Sequence, residues 1–330
     1  MITDGKTDPD GPWVGVDIGG TKVAAGLVDR SGMVVERNDV ATPRTGSADV
    51  LATVQALIGR WLPAGAVGVG VGAPGAIDSA RGTVAFASDI LPGWTGADVA
   101  GPLSATTGLP VVVLNDVDAA AVGEARRGAG IGYRRLLVVS VGTGIGGSLV
   151  DDGTPQQGAH GTTGEIAHLL APDDGPIACG CGRFDHIESW LSGPAMVAAY
   201  RAKVGFADGH VTLSDVVRRW REGDPAAADA VTGAAALGGR AIAGLAGAVD
   251  VDAVIVTGGV ALIGEPFIGP MRSAFRGSVI APLREVPLLA GNLARDAPLI
   301  GAAAESARQM ALGAEVRCSA IGGVERSAER

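Results

Sequence analysis

The chain has 330 residues, of which 47% are hydrophobic and 18% charged, so it is long and apolar enough to bury the cores of two ordinary domains. Its formal net charge of −9 argues against a general nucleic-acid-binding protein, and its most apolar late run, 253–264, is too short to span a bilayer. Two of the three cysteines form one Cys-x-Cys pair, and the start of the chain is polar and acidic. We therefore expect a cytoplasmic protein that binds neither nucleic acid nor membrane.

The N-terminal part predicts a hairpin with a glycine turn. Residues 1–12 are expected to be disordered, and 13–29 reads as an apolar strand, a Gly-Gly-Thr turn at 19–21 and a second strand. The backbone amides of such a turn can cradle phosphate oxygens, and Asp17, at the end of the first strand, can hold Mg²⁺ through water. The same pattern also describes an ordinary β-hairpin, so this interpretation stays open too.

Between this hairpin and residue 115 the pattern alternates between helix and strand. Apolar residues at helical spacing predict an amphipathic helix at 48–62, and buried strands are predicted at 66–72 and 109–114. The loop at 88–94 either faces a ligand or only packs Trp94.

Asn115 and Asp116 stand where the second of these strands ends, ahead of a helix predicted at 118–127. A strand end that opens onto a helix is where α/β proteins place catalytic groups. A carboxylate there can take the proton from a substrate hydroxyl, and the neighbouring amide can orient another hydroxyl. Asx residues at such junctions are also the usual N-caps of helices, and the local pattern leaves both interpretations open.

A second hairpin repeats the plan of the first. Residues 136–151 read as an apolar strand, a Gly-Thr-Gly turn at 142–144 and another apolar strand, which predicts a duplicated domain. Two glycine turns facing each other across a cleft can grip the β- and γ-phosphates of a nucleotide. The Walker motif and a G-x-G-x-x-G fingerprint at the first strand–helix turn are both absent from the sequence, which argues against P-loop and dinucleotide-binding folds.

The stretch 164–188 concentrates residues that bind metals and hydroxyl groups. It holds two of the four histidines, two of the three cysteines and two glutamates. Two thiolates and two imidazoles suit tetrahedral zinc, which assigns as ligands His168, Cys179, Cys181 and His186. The glutamates are left to bind hydroxyl groups. The alternative is a loop with two reduced cysteines and solvated histidines.

The remainder of the chain is predicted to be mostly helical. Helices are expected at 189–204, 213–220, 225–249, 266–275 and 298–312, and strands at 253–261 and 278–283. The pair Gly258-Gly259 gives room for a nucleoside or forms only a turn. We expect disorder from residue 315 to residue 330.

In this order and spacing, the motifs resemble those of the ROK family of sugar kinases within the actin-like ATPase superfamily. The resemblance covers 13–312 and rests on the segments 17–22, 115–116, 119–124, 142–147, 164–168, 179–182, 188 and 257–259. It implies an α/β fold of two ribonuclease H-like domains of the actin-like ATPase type with a cleft between them. The small domain would be 13–117, completed by the helix at 298–312, and the large domain would be 118–297 with the zinc loop.

The resemblance implies an ATP-dependent enzyme that phosphorylates the 6-hydroxyl of a hexose, with Asp116 as the general base. The substrate-binding residues that it implies are Gly75, Asn115, Glu165, His168 and Glu188. Those implied for ATP and its phosphates are Asp17, Gly19, Gly20, Thr21, Lys22, Gly142, Thr143, Gly144, Gly258 and Gly259. The implied cofactors are Mg²⁺ and a structural Zn²⁺, with His168 serving both the metal and the sugar.

The sequence departs from the family pattern at a few positions. Asp185 stands where the family zinc motif has glycine, and His186 stands where it has cysteine. Histidine also ligates zinc, so the predicted site is retained. Ala167 replaces a glycine and Asp118 an asparagine, and we expect both changes to reshape the sugar pocket modestly.

Glucose is the expected sugar, and the alternatives are N-acetylglucosamine, N-acetylmannosamine, mannose and fructose, with polyphosphate open as a second donor. A sugar-sensing ROK regulator is disfavoured because only about a dozen residues precede the first strand, too few for a helix-turn-helix. A sugar-binding protein without activity is disfavoured by Asp116 and the two glycine turns. The family implies a homodimer or homotetramer.

Overall fold

The computed structural model describes residues 11–87, 91–171, 176–205 and 211–325, so most of the predicted N-terminal disordered segment lies outside the described residues. The chain divides into two compact units, Met1–Gly123 with Asp296–Arg330 and Glu124–Arg295, and each has its own five-stranded sheet. The division after Gly123 falls within the helix Asp116–Arg127, and the boundary predicted after residue 117 lies near the start of the same helix.

In chain order the strands are β1 (Trp13–Ile18), β2 (Lys22–Val28), β3 (Val34–Ala41), β4 (Val69–Ala73), β5 (Ala76–Asp78), β6 (Thr83–Phe86), β7 (Val111–Asn115), β8 (Arg135–Val141), β9 (Ile145–Asp151), β10 (Thr154–Pro155), β11 (Ala253–Thr257) and β12 (Leu288–Ala290). The helices are α1 (Ser47–Gly59), α2 (Ala100–Thr107), α3 (Asp116–Arg127), α4 (Glu188–Leu191), α5 (Gly193–Val204), α6 (Leu213–Arg221), α7 (Pro225–Val249), α8 (Glu265–Ser278) and α9 (Ala297–Glu325).

The two sheets share one plan. The first has the order β3-β2-β1-β4-β7 and the second the order β10-β9-β8-β11-β12. In each sheet an antiparallel hairpin, β1–β2 or β8–β9, is extended by two parallel strands. All five residues of β4 and of β11 are buried, as is usual for parallel strands covered on both faces. The predicted duplication is confirmed.

The last helix, α9, belongs to the first unit and lies directly on its sheet. A Cβ atom on Gly70 of β4 would stand 1.9 Å from the carbonyl oxygen of Ala302, and one on Gly15 of β1 would stand 2.1 Å from that of Leu299. Only glycine permits helix and strands to approach this closely. The structure therefore places α9 with the N-terminal sheet.

The long helix α7 forms the centre of the second unit. Asp224 caps it by accepting the amides of Ala226 and Ala227, and Pro225 supplies a preset first turn. Its buried side chains share one core with Phe267, Met271 and others from α8. By length and composition alone α7 could cross a membrane, but 56% of its most apolar window is buried inside the protein. Its predicted bounds, 225–249, are confirmed.

Two predictions in the C-terminal half are wrong. The strand expected at 278–283 is instead the end of α8 followed by a 3₁₀ turn at Ala281–Leu283, because Pro282 has no amide hydrogen to donate to a sheet. The disorder expected from residue 315 is replaced by helix as far as Glu325, because α9 continues through a segment with no proline. Residues 326–330 lie outside the described residues.

Candidate active site

In the first unit, the two predicted acids, Asp17 and Asp116, lie at the carboxyl ends of parallel strands. Asp17 of β1 pairs with Gly72 of β4, and Ala73 of β4 pairs with Asn115 at the end of β7. α3 begins at the following residue, Asp116. A Cβ atom at position 72 would stand 3.4 Å from the Cα atom of Asp116. The lack of a side chain at Gly72 therefore lets the start of α3 lie close to β4.

Both carboxyl groups are only partly exposed, and the pKa of each is raised. Burial raises the pKa of Asp17 to about 6, although the positive charges of Lys22 and Arg37 oppose the shift. Burial and the nearby carboxylate of Asp17 raise the pKa of Asp116 to about 7, and Asp118 adds to the effect. A carboxylate whose pKa lies near neutrality accepts a proton more readily than an ordinary aspartate.

The cap of α3 is Asn115, which leaves Asp116 available for chemistry. The Asn115 Oδ1 atom accepts the amides of Val117 at 2.8 Å and Asp118 at 3.2 Å. Its Nδ2 atom donates to the carbonyl oxygen of Gly75 at 3.0 Å, so the predicted substrate-binding pair Asn115 and Gly75 is joined by a hydrogen bond. The Oδ1 atom of Asp116 accepts the amide of Val117 at 3.0 Å.

The first glycine turn links β1 to β2. The amide of Gly19 donates to the carbonyl oxygen of Lys22 at 2.9 Å, while Gly20 and Thr21 lie between them. Lys22 pairs with Asp39 at 3.0 Å. Thr42, which follows β3, also stabilises the turn, because its hydroxyl donates to the carbonyl oxygen of Gly19 at 2.6 Å.

The second glycine turn links β8 to β9 in the other unit. The amide of Gly142 donates to the carbonyl oxygen of Gly144 at 2.9 Å, and Thr143 at its tip is exposed. Gly258, with φ 89°, lies against Val141, where a Cβ atom would stand 2.5 Å from the carbonyl oxygen. The structure thus brings 142–144 and 258–259 to one end of the second sheet.

The four predicted metal ligands lie together in the second unit. One ligand atom from each of His168, Cys179, Cys181 and His186 can be chosen so that all lie within 4.8 Å of one another. The Nδ1 atom of His186 stands 3.2 Å from the Cys181 sulfur and 3.2 Å from the Nδ1 atom of His168. Two sulfur and two imidazole donors at this spacing fit a tetrahedral zinc ion.

The remaining predicted substrate-binding residues flank this cluster. The Nε2 atom of His168 stands 3.9 Å from the carboxylate of Glu165, so the ring has one nitrogen toward the cluster and the other toward a carboxylate. Such an outer partner fixes the orientation of a metal-bound imidazole. Glu188 begins α4 and accepts the amide of Ile145, just after the second glycine turn, at 3.2 Å.

The loop that carries the cluster is held by hydrogen bonds of its own backbone and of the Asp185 side chain. Asp185 accepts the amide of Ile177 at 2.8 Å and has φ 62°, a left-handed conformation that glycine adopts freely and aspartate tolerates. This geometry explains how Asp185 can stand where the family motif has glycine. The next residue but one, Ile187, is fully buried and donates to the carbonyl oxygen of Leu169 at 2.9 Å.

Sequence reasoning missed two residues that support the glycine turns. Thr42 fastens the first turn, and the amide of Gly193 donates to the carbonyl oxygen of Gly142 at 2.9 Å. Ser192-Gly193-Pro194 is a recognisable helix start that could have drawn attention to Gly193. Thr42 follows β3 with no local pattern to mark it. The loop 88–94 is described only from residue 91, and Trp94 in it is buried with its indole donating to the carbonyl oxygen of Pro74 at 3.0 Å.

Comparison with known proteins decides the family. The ROK family matches residues 13–308, which is most of the chain. The chain belongs to the ROK family. The predicted recognition and the predicted actin-like ATPase fold are both confirmed.

Individual ROK proteins are similar to the chain over nearly their whole length. It is 35% identical over 311 residues to the glucokinase of Streptomyces coelicolor, covering 89% of this chain and 96% of that one. It is 31% identical over 294 residues to the N-acetylmannosamine kinase of Escherichia fergusonii, covering 87% and 96%. The crystal structure of a ROK family glucokinase from Streptomyces griseus in complex with glucose and AMPPNP has a TM-score of 0.80 and 34% identity, covering 91% of this chain and all of that one.

Proposed function

We propose that this chain is an ATP-dependent hexose kinase that phosphorylates the 6-hydroxyl of its sugar, with glucose as its first substrate. The observation that carries the proposal is Asp116, a partly buried carboxylate with a pKa of about 7 at the end of β7, in a chain that belongs to the ROK family. The relatives at 35% and 34% identity that span the chain are glucokinases, which supports glucose.

Asp116 acts in this proposal as the general base. It takes the proton from the 6-hydroxyl as that oxygen attacks the γ-phosphorus in line, and the remainder of catalysis is positioning and neutralisation of charge. Asn115 has one amide hydrogen beyond its bond to Gly75 with which to hold a neighbouring hydroxyl. In the second unit, Glu165, His168 and Glu188 provide further partners for sugar hydroxyls.

The glycine turns bind the donor in the same proposal. The first unit supplies amides at 19–21, with Lys22 beside them, and Asp17 to hold Mg²⁺ through water. The second unit supplies 142–144 for the phosphates and 258–259 for the nucleoside. Mg²⁺, when bound, neutralises charge on the phosphates.

A structural zinc ion completes the proposal. His168, Cys179, Cys181 and His186 would hold it, and their spacing and donor chemistry support the assignment. When bound, it cross-links the loop and fixes the orientation of His168. A cytoplasmic location, a homodimer or homotetramer, and the absence of nucleic-acid and membrane partners stay predictions from the sequence.

A second candidate is an N-acetylmannosamine kinase, favoured by the 31% identical relative. A coupled assay should compare kcat/KM for glucose, mannose, fructose, N-acetylglucosamine and N-acetylmannosamine, each with ATP and with polyphosphate. Glucose with ATP is expected to give the highest value. A higher value for N-acetylmannosamine would replace glucose by the second candidate, and no turnover with any sugar would reject the kinase.

The base assignment is tested by Asp116→Ala. This variant should lose phosphorylation while its sugar affinity falls by only about ten- to a hundredfold, because one lost hydrogen bond to a charged group is worth roughly 1.5–3 kcal/mol. Near-normal turnover in the variant would show that Asp116 is not the base.

A further inference from the structure

We propose that Glu188 has a second role in addition to binding sugar: its carboxylate holds the second glycine turn in the shape that binds the phosphates of the donor. This inference rests on the proposed kinase function. It makes one side chain of the second unit common to the sugar subsite and the nucleotide subsite.

The contact is specific to one carboxylate oxygen. The amide of Ile145 donates to Glu188 Oε2 at 3.2 Å, and Ile145 is the residue that follows the turn 142–144. A Cβ atom on Gly144 would stand only 2.9 Å from the same oxygen. Gly144 therefore has a local reason to be glycine, because any side chain would displace the carboxylate from the turn.

Glu188 is itself held firmly. It begins α4, and the residue before it, Ile187, is fully buried and bonded through its amide to the carbonyl oxygen of Leu169 at 2.9 Å. On its other side the turn is fastened by Gly193, the first residue of α5, whose amide donates to Gly142 at 2.9 Å. The turn is thus supported at both ends by residues that start helices.

The arrangement predicts that removing the carboxylate weakens nucleotide binding even without sugar. Without its acceptor at position 188, the turn 142–144 samples other conformations. The nucleotide then binds only the fraction of molecules in which the turn has the phosphate-binding conformation, so its apparent affinity falls. A glutamine at 188 keeps an oxygen that accepts the Ile145 amide but offers weaker bonds to sugar hydroxyls, because it carries no charge. The two variants therefore separate the two roles of the residue.

The experiment measures binding of Mg²⁺-AMPPNP by calorimetry with no sugar present, and binding of glucose separately. Glu188→Ala should weaken nucleotide binding by about three- to tenfold, the equivalent of one hydrogen bond, whereas Glu188→Gln should change it by less than about twofold. Both variants should weaken glucose binding. The matched control is Glu165→Gln, which alters a carboxylate beside His168 and should weaken glucose binding but leave nucleotide binding unchanged.

A double-mutant cycle guards against a general loss of structure. Gly144→Ala should weaken nucleotide binding in the wild type but cost little more in a Glu188→Ala background, because its clash is with the carboxylate. Nucleotide affinity of Glu188→Ala within twofold of wild type would overturn the second role and leave the kinase proposal standing. Failure of the wild type itself to bind Mg²⁺-AMPPNP would overturn both.

Discussion

Asp116 is surrounded by enough protein to disfavour its charge, and it still has surface open to a substrate. Burial is the largest cause of its raised pKa, and the carboxylate of Asp17 is the second. Because both acids sit at the ends of parallel strands in one sheet, the fold itself forces like charges close together. The residue that we propose as the base is therefore one whose proton affinity the fold has raised.

A pH profile follows from this pKa. The base must be ionised, so kcat/KM should be level above pH 7 and fall about tenfold for each pH unit below the pKa of about 7. Steady-state rates with glucose between pH 5 and pH 9 provide the measurement.

A variant at position 118 tests the cause of the raised pKa of Asp116. Asp118→Asn removes one of the carboxylates that raise the pKa of Asp116, so its acidic limb should move to lower pH. A rate that does not change between pH 5 and pH 8 would contradict the assignment of Asp116 as base.

Local pattern predicted most residues of the candidate site, but it could not predict their connections. Asp17, Asn115 and the glycine turns were predicted because each stands at the end of a strand or directly after one. The contact of Glu188 with Ile145 joins residues far apart in the chain and depends on where the loop 176–187 is anchored, so no local signal reveals it. The pKa of Asp116 likewise depends on the register of β1, β4 and β7, which a sequence does not fix.

At the scale of elements, one buried carboxylate joins two loops of the second unit. Glu124, on α3, is fully buried and accepts the amides of Ala129 at 2.9 Å, Asn292 at 3.2 Å and Leu293 at 3.0 Å. Glycine at 128 and 291 keeps space for it, since a Cβ atom at either would stand within 2.7 Å of a carboxylate oxygen. These bonds replace the hydrogen bonds with water that the buried side chain of Glu124 has lost.

Glu124→Ala should therefore destabilise the protein strongly. It leaves three amide donors without their acceptor, and the expected loss in the free energy of unfolding is about 3–5 kcal/mol. Urea denaturation followed by circular dichroism gives the value. Glu222→Ala, which removes an exposed partner of Arg218, is the control and should leave stability nearly unchanged. A loss for Glu124→Ala no larger than that of the control would refute the role assigned to these bonds.

Removal of the metal is a second test at this scale. Purified protein should contain about one zinc ion per chain by elemental analysis, and a chelator should remove the ion and weaken glucose binding, because His168 loses its fixed orientation. His186→Ala should reproduce both losses. His160→Ala changes an exposed histidine outside the cluster and should keep its zinc. A metal-free protein with full glucose affinity would refute the zinc site.

Elements were predicted well where a strong start signal met a long regular pattern. Asp224-Pro225 opens α7, and mostly small and apolar residues continue to Val249, with Asp229 and Arg240 as the charged exceptions. The prediction failed at 278–283, where apolar residues suggested a strand but Pro282 prevents one. It also failed at the end of α9, where a polar composition was taken for disorder although it does not prevent a helix.

At the scale of the whole molecule, the two units differ in how their chain is assembled. The second unit is one continuous segment, Glu124–Arg295, whereas the first needs α9 from the other end of the chain. The contacts of Gly15 and Gly70 with α9 are too close for water to enter, so without the helix these strands would expose an apolar face.

Two fragments test this difference. A fragment of residues 124–295 should fold and melt cooperatively, whereas a fragment of residues 11–123 should not, because it lacks α9. Circular dichroism during heating, with proteolysis as a second probe, would show this. A cooperative transition in 11–123 alone would contradict the role given to α9, and adding a peptide of residues 296–325 should restore structure to that fragment.

The late position of α9 sets an order of events on the ribosome. The helix α9 cannot cover the first strands until everything up to Arg295 has been translated, so the nascent chain exposes one face of this valine-rich sheet for most of its synthesis. We expect chaperones that act at the ribosomal exit tunnel to bind this exposed apolar surface. Yield in the cell should thus depend on how long the nascent sheet must wait, and codons that slow translation of the middle of the message would be expected to increase aggregation without altering a single residue.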